Sequence, residues 1–199
     1  TGTEVSKDAA SMILSDDNFA TIIKAVANGR TVYNNIKNAV LYLLSGNFSA
    51  IITVIYASLM ALPVPFQAVQ LLFINLVTDS LPALAIGMEP GAKDVLDKKP
   101  RNPKQGILDK KFVTLMVSQG VLIALSVITA FMSGLSVTPE AASTMAFATL
   151  TLARLLHGFN CRGEHSILTL GFKNNMYSLG AFVLGLILVA AVLFLPPVA

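Results

Sequence analysis

The chain has 199 residues, of which 54% are hydrophobic and only 13% are charged. Soluble globular domains carry about 25% charged residues, so this composition argues against an ordinary soluble domain and indicates an integral membrane protein. The formal net charge of +3 is too small to indicate a nucleic-acid partner, and we expect none. The single cysteine, Cys161, excludes an internal disulfide framework and a cysteine-rich metal site.

Residues 1–33 begin with a polar stretch that turns into a helical pattern. Phe19, Ile22 and Val26 form part of an apolar stripe at helical spacing. We expect this segment to be the edge of a cytoplasmic domain, leading into a helix that continues into the membrane. Residues 34–199 then form the transmembrane domain.

Five apolar stretches follow, each close to the roughly 20 residues that a helix needs to cross a bilayer. Their approximate bounds are 36–62, 69–88, 112–132, 141–159 and 176–195. The fourth is the least apolar, because it carries Arg154 and His157. The sequence therefore predicts an all-α integral membrane bundle of five transmembrane helices.

Basic residues alternate between the connections of these spans. Lys24, Arg30 and Lys37 lie before or at the start of the first span. Seven lysines and arginines crowd the loop 89–111, whereas the connections after the first and third spans contain none. Because loops rich in lysine and arginine remain in the cytoplasm, we expect a multi-pass protein with a cytoplasmic N-terminus.

The second span contains polar residues inside the apolar segment INLVTDSLPALAIG (74–87). Asn75, Thr78 and Asp79 stand at i, i+3 and i+4, which places them on one face of a helix. Pro82 lacks an amide hydrogen and its ring clashes with the carbonyl of Thr78, so we expect a helix break that frees a carbonyl. Ca²⁺ takes about six to eight such carboxylate, amide, hydroxyl and carbonyl oxygens. The segment therefore predicts a cation site.

Two other spans carry polar residues whose roles the sequence leaves open. Asn47 in the first span is either an ordinary interhelical contact or a further ligand. Arg154 either snorkels to the interface or points inward beside the ion cavity. Asp79 could pair with a cation such as Arg154, although carboxylates inside membranes mark ion or proton pathways.

Three stretches of the sequence resemble motifs of a known family: YNNIKNAVLYLLSGN (33–47), VQLLFINLVTDSLPALAIGMEP (69–90) and KKPRNPKQGIL (98–108). They are similar to the C-terminal half of the P-type ion-pumping ATPases, and within these to the calcium pumps of the sarco/endoplasmic reticulum type and their bacterial relatives. The resemblance implies that the spans are family helices five to nine, and that residues 1–33 are the end of the phosphorylation domain and its stalk. It also implies a location in the cell membrane.

The resemblance assigns roles to individual residues. Asn75 and Asp79 match ligands of one cation site of the family. Asn47 and Thr78 match ligands of a second site. All four are therefore candidate Ca²⁺ ligands.

The chain departs from the two-site pattern of the muscle-type pumps at two positions. Those pumps have a glutamate at the position of Ala50 and another near Arg154. Losing two carboxylates and gaining a guanidinium makes a second divalent cation unfavourable, since like charges repel more strongly in a low-dielectric site. We expect one Ca²⁺ per cycle, with Arg154 as a built-in countercharge at the vacated site.

The resemblance also implies parts that these residues do not include. In the family, Mg²⁺-dependent phosphoryl transfer from ATP to an aspartate drives transport, with proton counter-transport. The chain contains no DKTGT motif and no nucleotide domain, so we expect it to bind neither ATP nor Mg²⁺ and to be inactive alone. Its expected partners are the lipid bilayer and the remaining N-terminal part of the same pump, with helices one to four and the cytoplasmic domains.

Three alternatives remain open at this point. The first is a pump for another divalent cation such as Mn²⁺. The second is an ATP-independent transporter or channel, although the spans show no internal repeat of the kind such carriers often have. The third is a truncated helical bundle with no activity of its own.

Overall fold

The computed structural model describes residues 2–14, 18–92, 94–100, 106–163 and 174–195. Every regular element in these segments is helical and none is a strand, which confirms the expected all-α architecture for this part of the chain. Some residues of the expected N-terminal segment and connections, including 15–17, 101–105 and 164–173, lie outside the described residues.

The described residues contain seven α-helices and one π-helical segment. Their bounds are α1 Glu4–Ala9, α2 Ala20–Leu59, α3 Ala68–Phe73, the π segment Ile74–Thr78, α4 Ser80–Gly87, α5 Lys110–Leu135, α6 Pro139–Asn160 and α7 Met176–Phe194. Each predicted span overlaps one of these helices or, for the second span, the continuous series from α3 to α4.

Helix α2 is much longer than a membrane span. Its 40 residues extend about 60 Å at the helical rise of about 1.5 Å per residue. The hydrocarbon core of a bilayer is only about 30 Å thick, so a large part of α2 projects beyond it. The helix of the N-terminal segment therefore runs into the first span without interruption.

Four helical segments of the described chain are long and apolar enough to cross a membrane: 20–59, 68–87, 110–135 and 176–194. Helix α6, the fourth predicted span, has 22 residues but is not apolar enough to join them. Eleven of its residues are buried in the bundle, and these include Arg154 and His157. A helix surrounded by protein can carry polar side chains, and that α6 also crosses the membrane stays a prediction.

The helices after the second span begin at side-chain caps. Asp109, Thr138 and Asn175 each accept a hydrogen bond from the backbone amide three residues later, at 2.7, 3.0 and 3.1 Å. These bonds satisfy amides that have no partner inside the helix. Pro139 occupies the first turn of α6, where its missing amide hydrogen costs nothing.

Helices α5 and α6 form a hairpin that packs against α2. At the turn, a Cβ on Gly134 would lie only 2.8 Å from the backbone nitrogen of Ala142, so the two helices approach closely. Buried apolar residues such as Val127, Phe131 and Leu150 fill the core of this layer. Helix α4 packs on α2, and α7 packs on α4 and α6, which brings α2, α4 and α6 into mutual contact.

Candidate cation site

The second membrane segment changes its helical pattern where its polar residues lie. The amide of Asp79 donates to the carbonyl of Ile74, five residues earlier, at 2.9 Å, and the Thr78 hydroxyl donates to the same carbonyl at 2.9 Å. Pro82 has no amide hydrogen to offer the carbonyl of Thr78. The irregular turn is the π segment, which ends at Thr78, four residues before Pro82. Such segments are rare and frequently lie at functional sites.

Asp79 is buried where the π segment meets α4, with 1% of its surface exposed. Its Oδ2 forms a short ion pair with Nη2 of Arg154 from α6. Its Oδ1 accepts a hydrogen bond from the hydroxyl of Tyr42 on α2, at 3.3 Å. Side chains from two other helices therefore meet at one carboxylate.

Arg154 points into the bundle and is 2% exposed. Besides contacting Asp79, its Nη2 donates to Oδ1 of Asn47 on α2 at 3.0 Å. Its Nε is buried and has no hydrogen-bond partner in the described part of the chain. The guanidinium is thus held among the helices and does not snorkel to the surface.

The other predicted site residues lie around this pair. Thr78 is buried next to Asp79, with its hydroxyl bonded to the backbone, whereas Asn75 is exposed. Ala50 belongs to the apolar core formed with α5 and α6. Asp79 and Asn47 share one guanidinium nitrogen, and Asn75 and Ala50 take no part in that contact. That all four predicted residues bind Ca²⁺ stays a prediction.

Sequence analysis missed a layer of side chains beside the pair. The rings of Tyr42 and His157 stack with centroids 6.0 Å apart, and Ser45 Oγ lies 2.8 Å from His157 Nε2. Ser45 Oγ also lies 2.7 Å from the carbonyl of Leu41, and Cys161 Sγ lies 3.3 Å from the same imidazole nitrogen. The available signal was the series of small or polar residues on α2 at positions 42, 45, 46 and 49, a pattern typical of helix–helix interfaces in membranes.

A second buried ion pair lies beyond the end of α4. Oε2 and Oε1 of Glu89 accept from Nε and Nη2 of Arg162 at 2.8 and 2.9 Å, a bidentate geometry. Asn175 donates to Oε2 of Glu89 at 2.6 Å, and Asn35 of α2 donates to the backbone carbonyl of Glu89 at 2.8 Å. These four residues, the Glu89 cluster, connect the ends of α4, α6 and α7 with α2.

The projecting part of α2 also holds the loop that follows α4. Arg30 donates to three backbone carbonyls of the loop, the two nearest at 2.7 and 2.9 Å. Lys37 forms an ion pair with Asp109 at 3.0 Å. The amide of Phe112 and the ammonium group of Lys37 hold the pKa of Asp109 below its usual value. The middle of the loop and its C-terminal end are therefore attached to α2.

The donor set of the Asp79 site consists of hard oxygens. Among the described residues no group of three or more His, Cys, Asp or Glu side chains could hold a metal ion. The site offers instead the carboxylate of Asp79, the amide oxygen of Asn47 and the hydroxyl of Thr78. Ca²⁺ accepts such mixed sets but takes about six to eight oxygens, so these side chains supply only part of a cage.

Comparison with known proteins identifies the class to which this fold and site belong. Residues 63–199 match the family model described as cation transporting ATPase, C-terminus. The chain therefore belongs to this family and is a C-terminal membrane region of the cation-transporting ATPases.

The relatives are calcium-transporting ATPases. The chain is 44% identical over 200 residues to one from Bacillus subtilis, and 46% identical over 188 residues to one from Listeria monocytogenes. It is 35% identical over 204 residues to the human calcium-transporting ATPase type 2C member 1. These alignments cover 99%, 94% and 99% of the chain but 22%, 21% and 22% of the relatives. The chain thus spans about a fifth of their length, and the expected resemblance to calcium pumps, bacterial ones included, is confirmed.

Proposed function

We propose that the chain is the C-terminal membrane part of an ATP-driven Ca²⁺ pump, and that its ion site includes ligands from Asn75, Asp79, Thr78 and Asn47. The observation that carries this proposal is the position of Nη2 of Arg154. A positively charged nitrogen bridges Asp79 Oδ2 and Asn47 Oδ1, which are oxygens of two different helices. A cation bound by the same two oxygens would take its place.

Binding of Ca²⁺ at this point requires the guanidinium to move away. Its departure frees a carboxylate and an amide oxygen next to Thr78 and the π segment. Asn75 is exposed on the surface of the described helices. The remaining helices of the full-length pump would pack against this surface. We propose that those helices add the ligands that the described residues do not supply, as the family resemblance implies.

We further propose that the pump carries one Ca²⁺ per cycle, with Arg154 as the countercharge. Ala50 lies in the apolar core and has no oxygen to offer in its side chain. A second divalent cation near the guanidinium would meet a like charge in a low-dielectric environment, where repulsion is strong. Proton counter-transport belongs to the same proposal and is supported by the family resemblance.

The remainder of the proposal concerns the whole protein. ATP and Mg²⁺ would bind to the cytoplasmic domains of the full-length pump, and residues 1–33 would connect those domains to the membrane. The protein would lie in the cell membrane with the N-terminal segment of this chain in the cytoplasm. The isolated chain would have no ATPase activity.

ATP-dependent uptake of Ca²⁺ into vesicles containing the full-length pump tests this function. Asp79→Asn keeps the size of the side chain but removes its charge, and we expect it to abolish uptake. Ser80→Ala is the matched control: Ser80 is exposed, and its hydroxyl bonds to the carbonyl of Leu76 in its own helix. Uptake that survives Asp79→Asn would contradict the proposed site.

Two parallel measurements separate the alternative functions. Uptake of Ca²⁺ by the isolated chain in liposomes without ATP would contradict the pump and favour a transporter or channel. Stimulation of ATP hydrolysis by Mn²⁺ at lower concentrations than Ca²⁺ would favour a pump for another cation. We expect neither result.

A further inference from the structure

We propose that Gly46 is a positioning residue for Arg154: the absence of a side chain at this point of α2 makes room for the guanidinium to reach Asp79. The inference rests on the proposed function, because it concerns how the arginine and Ca²⁺ share one carboxylate. Gly46 has no side chain, so it is not itself a ligand of the ion.

The guanidinium of Arg154 occupies the space that a side chain at position 46 would need. Gly46 is buried in the interior of α2. The three atoms nearest to an added Cβ all belong to the guanidinium group of Arg154, with Cζ at 2.7 Å and Nη2 at 2.8 Å. Carbon atoms in contact normally lie about 3.5–4.0 Å apart. Even an alanine at this position is therefore incompatible with the observed place of the guanidinium.

Backbone conformation gives no separate reason for this glycine. Gly46 lies within a continuous α-helix, where glycine is a poorer helix former than any residue except proline. Gly29 of the same helix has nothing within 4 Å of an added Cβ. The two glycines thus differ in their surroundings, and only Gly46 faces the arginine.

The hydroxyls of the neighbouring serines bond to the backbone of α2. Ser45 and Ser49 flank Gly46 and are fully buried, and their hydroxyls donate to carbonyls of α2 at 2.7 and 2.6 Å. Nε of Arg154, which lies against Gly46, has no hydrogen-bond partner in the described part of the chain. Nη2 alone holds the group to Asp79 and Asn47. Since the guanidinium is the end of a flexible side chain, Arg154 rather than the backbone of α2 will give way to an added methyl group.

The expected consequence is a change in Ca²⁺ affinity. Gly46→Ala moves the guanidinium away from Asp79, and the carboxylate becomes more accessible to Ca²⁺. We expect the Ca²⁺ concentration for half-maximal ATPase activity of the full-length pump to fall roughly 10-fold, as for loss of one hydrogen bond to a charged group. The maximal rate should change much less, because the phosphoryl-transfer residues lie elsewhere.

A double-mutant cycle tests whether Gly46 acts through Arg154. The four proteins are the wild-type full-length pump, Gly46→Ala, Arg154→Ala and the double variant, with Gly29→Ala as the matched glycine control. We expect Gly46→Ala to shift the Ca²⁺ dependence in the same direction as Arg154→Ala. In the Arg154→Ala background it should add nothing, because no guanidinium is left to displace. Gly29→Ala should behave as the wild type.

The possible results distinguish this inference from the proposed function. An unchanged Ca²⁺ dependence of Gly46→Ala, beside a shift in Arg154→Ala, overturns the role of Gly46 and leaves the proposed function standing. Equal effects of Gly46→Ala in both backgrounds also overturn it, since they indicate general packing. Absence of any shift in Arg154→Ala overturns the proposed role of the arginine itself. If Gly46→Ala alone fails to fold, the double variant must regain the melting temperature of Arg154→Ala, and its failure to do so overturns the inference.

Discussion

The two buried arginine–carboxylate pairs of this chain differ in how completely their atoms are bonded. Both oxygens of Glu89 receive a guanidinium nitrogen of Arg162, and the amide of Asn175 adds a third bond. Ion pairs in a protein interior are stable only where the geometry is good and the remaining donors and acceptors are satisfied. The Glu89 cluster meets this condition and has the geometry of a permanent structural connection.

The pair of Asp79 and Arg154 does not meet this condition. Asp79 receives one guanidinium nitrogen and a hydroxyl at 3.3 Å, and Nε of Arg154 has no partner among the described residues. When another cation replaces the arginine, fewer hydrogen bonds are broken in such a pair than in a fully bonded one. We therefore propose that an arginine–carboxylate pair serves as a fixed connection in one place and as an exchangeable contact in the other.

The largest effect should come from breaking the fixed connection. Glu89→Ala leaves the buried guanidinium of Arg162 without its carboxylate, and loss of one partner of a buried pair costs about 3–5 kcal/mol. We expect a corresponding fall in the unfolding free energy of the full-length pump in detergent. The double variant Glu89→Met/Arg162→Met removes both charges and should recover most of the loss. A Glu89→Ala protein as stable as the wild type would contradict the structural role of the cluster.

Breaking the exchangeable pair should affect stability less and Ca²⁺ binding more. Arg154→Ala removes the group that competes for Asp79, so we expect Ca²⁺ to bind roughly 10-fold more tightly. The rise in melting temperature caused by a fixed Ca²⁺ concentration should therefore be larger in Arg154→Ala than in the wild type. A fall in unfolding free energy as large as that of Glu89→Ala would mean that the two pairs do not differ.

Removing the hydroxyl of Tyr42, which donates to Asp79, should have a smaller effect. Tyr42→Phe removes one long hydrogen bond to Asp79 and keeps the ring that stacks on His157. Hydrogen bonds to charged groups contribute about 1.5–3 kcal/mol, and this long bond should lie at the low end, so the Ca²⁺ concentration for half-maximal activity should change by about 10-fold at most. Tyr42→Ala serves as the contrast, because it also removes the ring and should lower the melting temperature. A loss of all activity in Tyr42→Phe would show that the hydroxyl has a larger role.

The smallest effect concerns the surface pair at the start of α5. Because the folded protein lowers the pKa of Asp109, its contribution to stability is present above the unfolded pKa of about 3.9 and is lost as pH falls through the lower folded value. Acid titration of the melting temperature should therefore show less loss below about pH 4 in Asp109→Asn, which keeps a capping side chain without the charge. Identical acid profiles of the two proteins would contradict this contribution.

Much of the fold could be predicted from the sequence because membrane helices leave a strong apolar pattern. Helices α5 and α7 follow from composition alone, and the continuation of α2 from the N-terminal segment follows from its unbroken periodicity. Helix α6 gave a weaker signal for a physical reason. Half of its residues are buried by other helices, so its composition reflects contacts with protein as well as with lipid.

The site could be predicted only in part, since a polar residue in an apolar span indicates a site but not its partners. Asp79 and Asn47 were singled out in this way, and the structure brings both into contact with Arg154. The side chain of Arg154 points into the bundle, where its guanidinium lies against Gly46 of another helix. The contact between Glu89 and Arg162 joins residues 73 positions apart. Neither contact follows from local spacing. The irregular turn lies before Pro82, where the amide of Asp79 and the hydroxyl of Thr78 both donate to the carbonyl of Ile74. This shared acceptor does not follow from local spacing either.

The most direct test of the account is the number of Ca²⁺ ions that the full-length pump binds at saturation. Equilibrium binding of radioactive Ca²⁺, with the active fraction determined independently, gives this number for the wild type and for Arg154→Ala. We expect one Ca²⁺ per pump in the wild type, with tighter binding in Arg154→Ala. Two Ca²⁺ per wild-type pump would contradict the proposal of one Ca²⁺ per cycle with Arg154 as the countercharge.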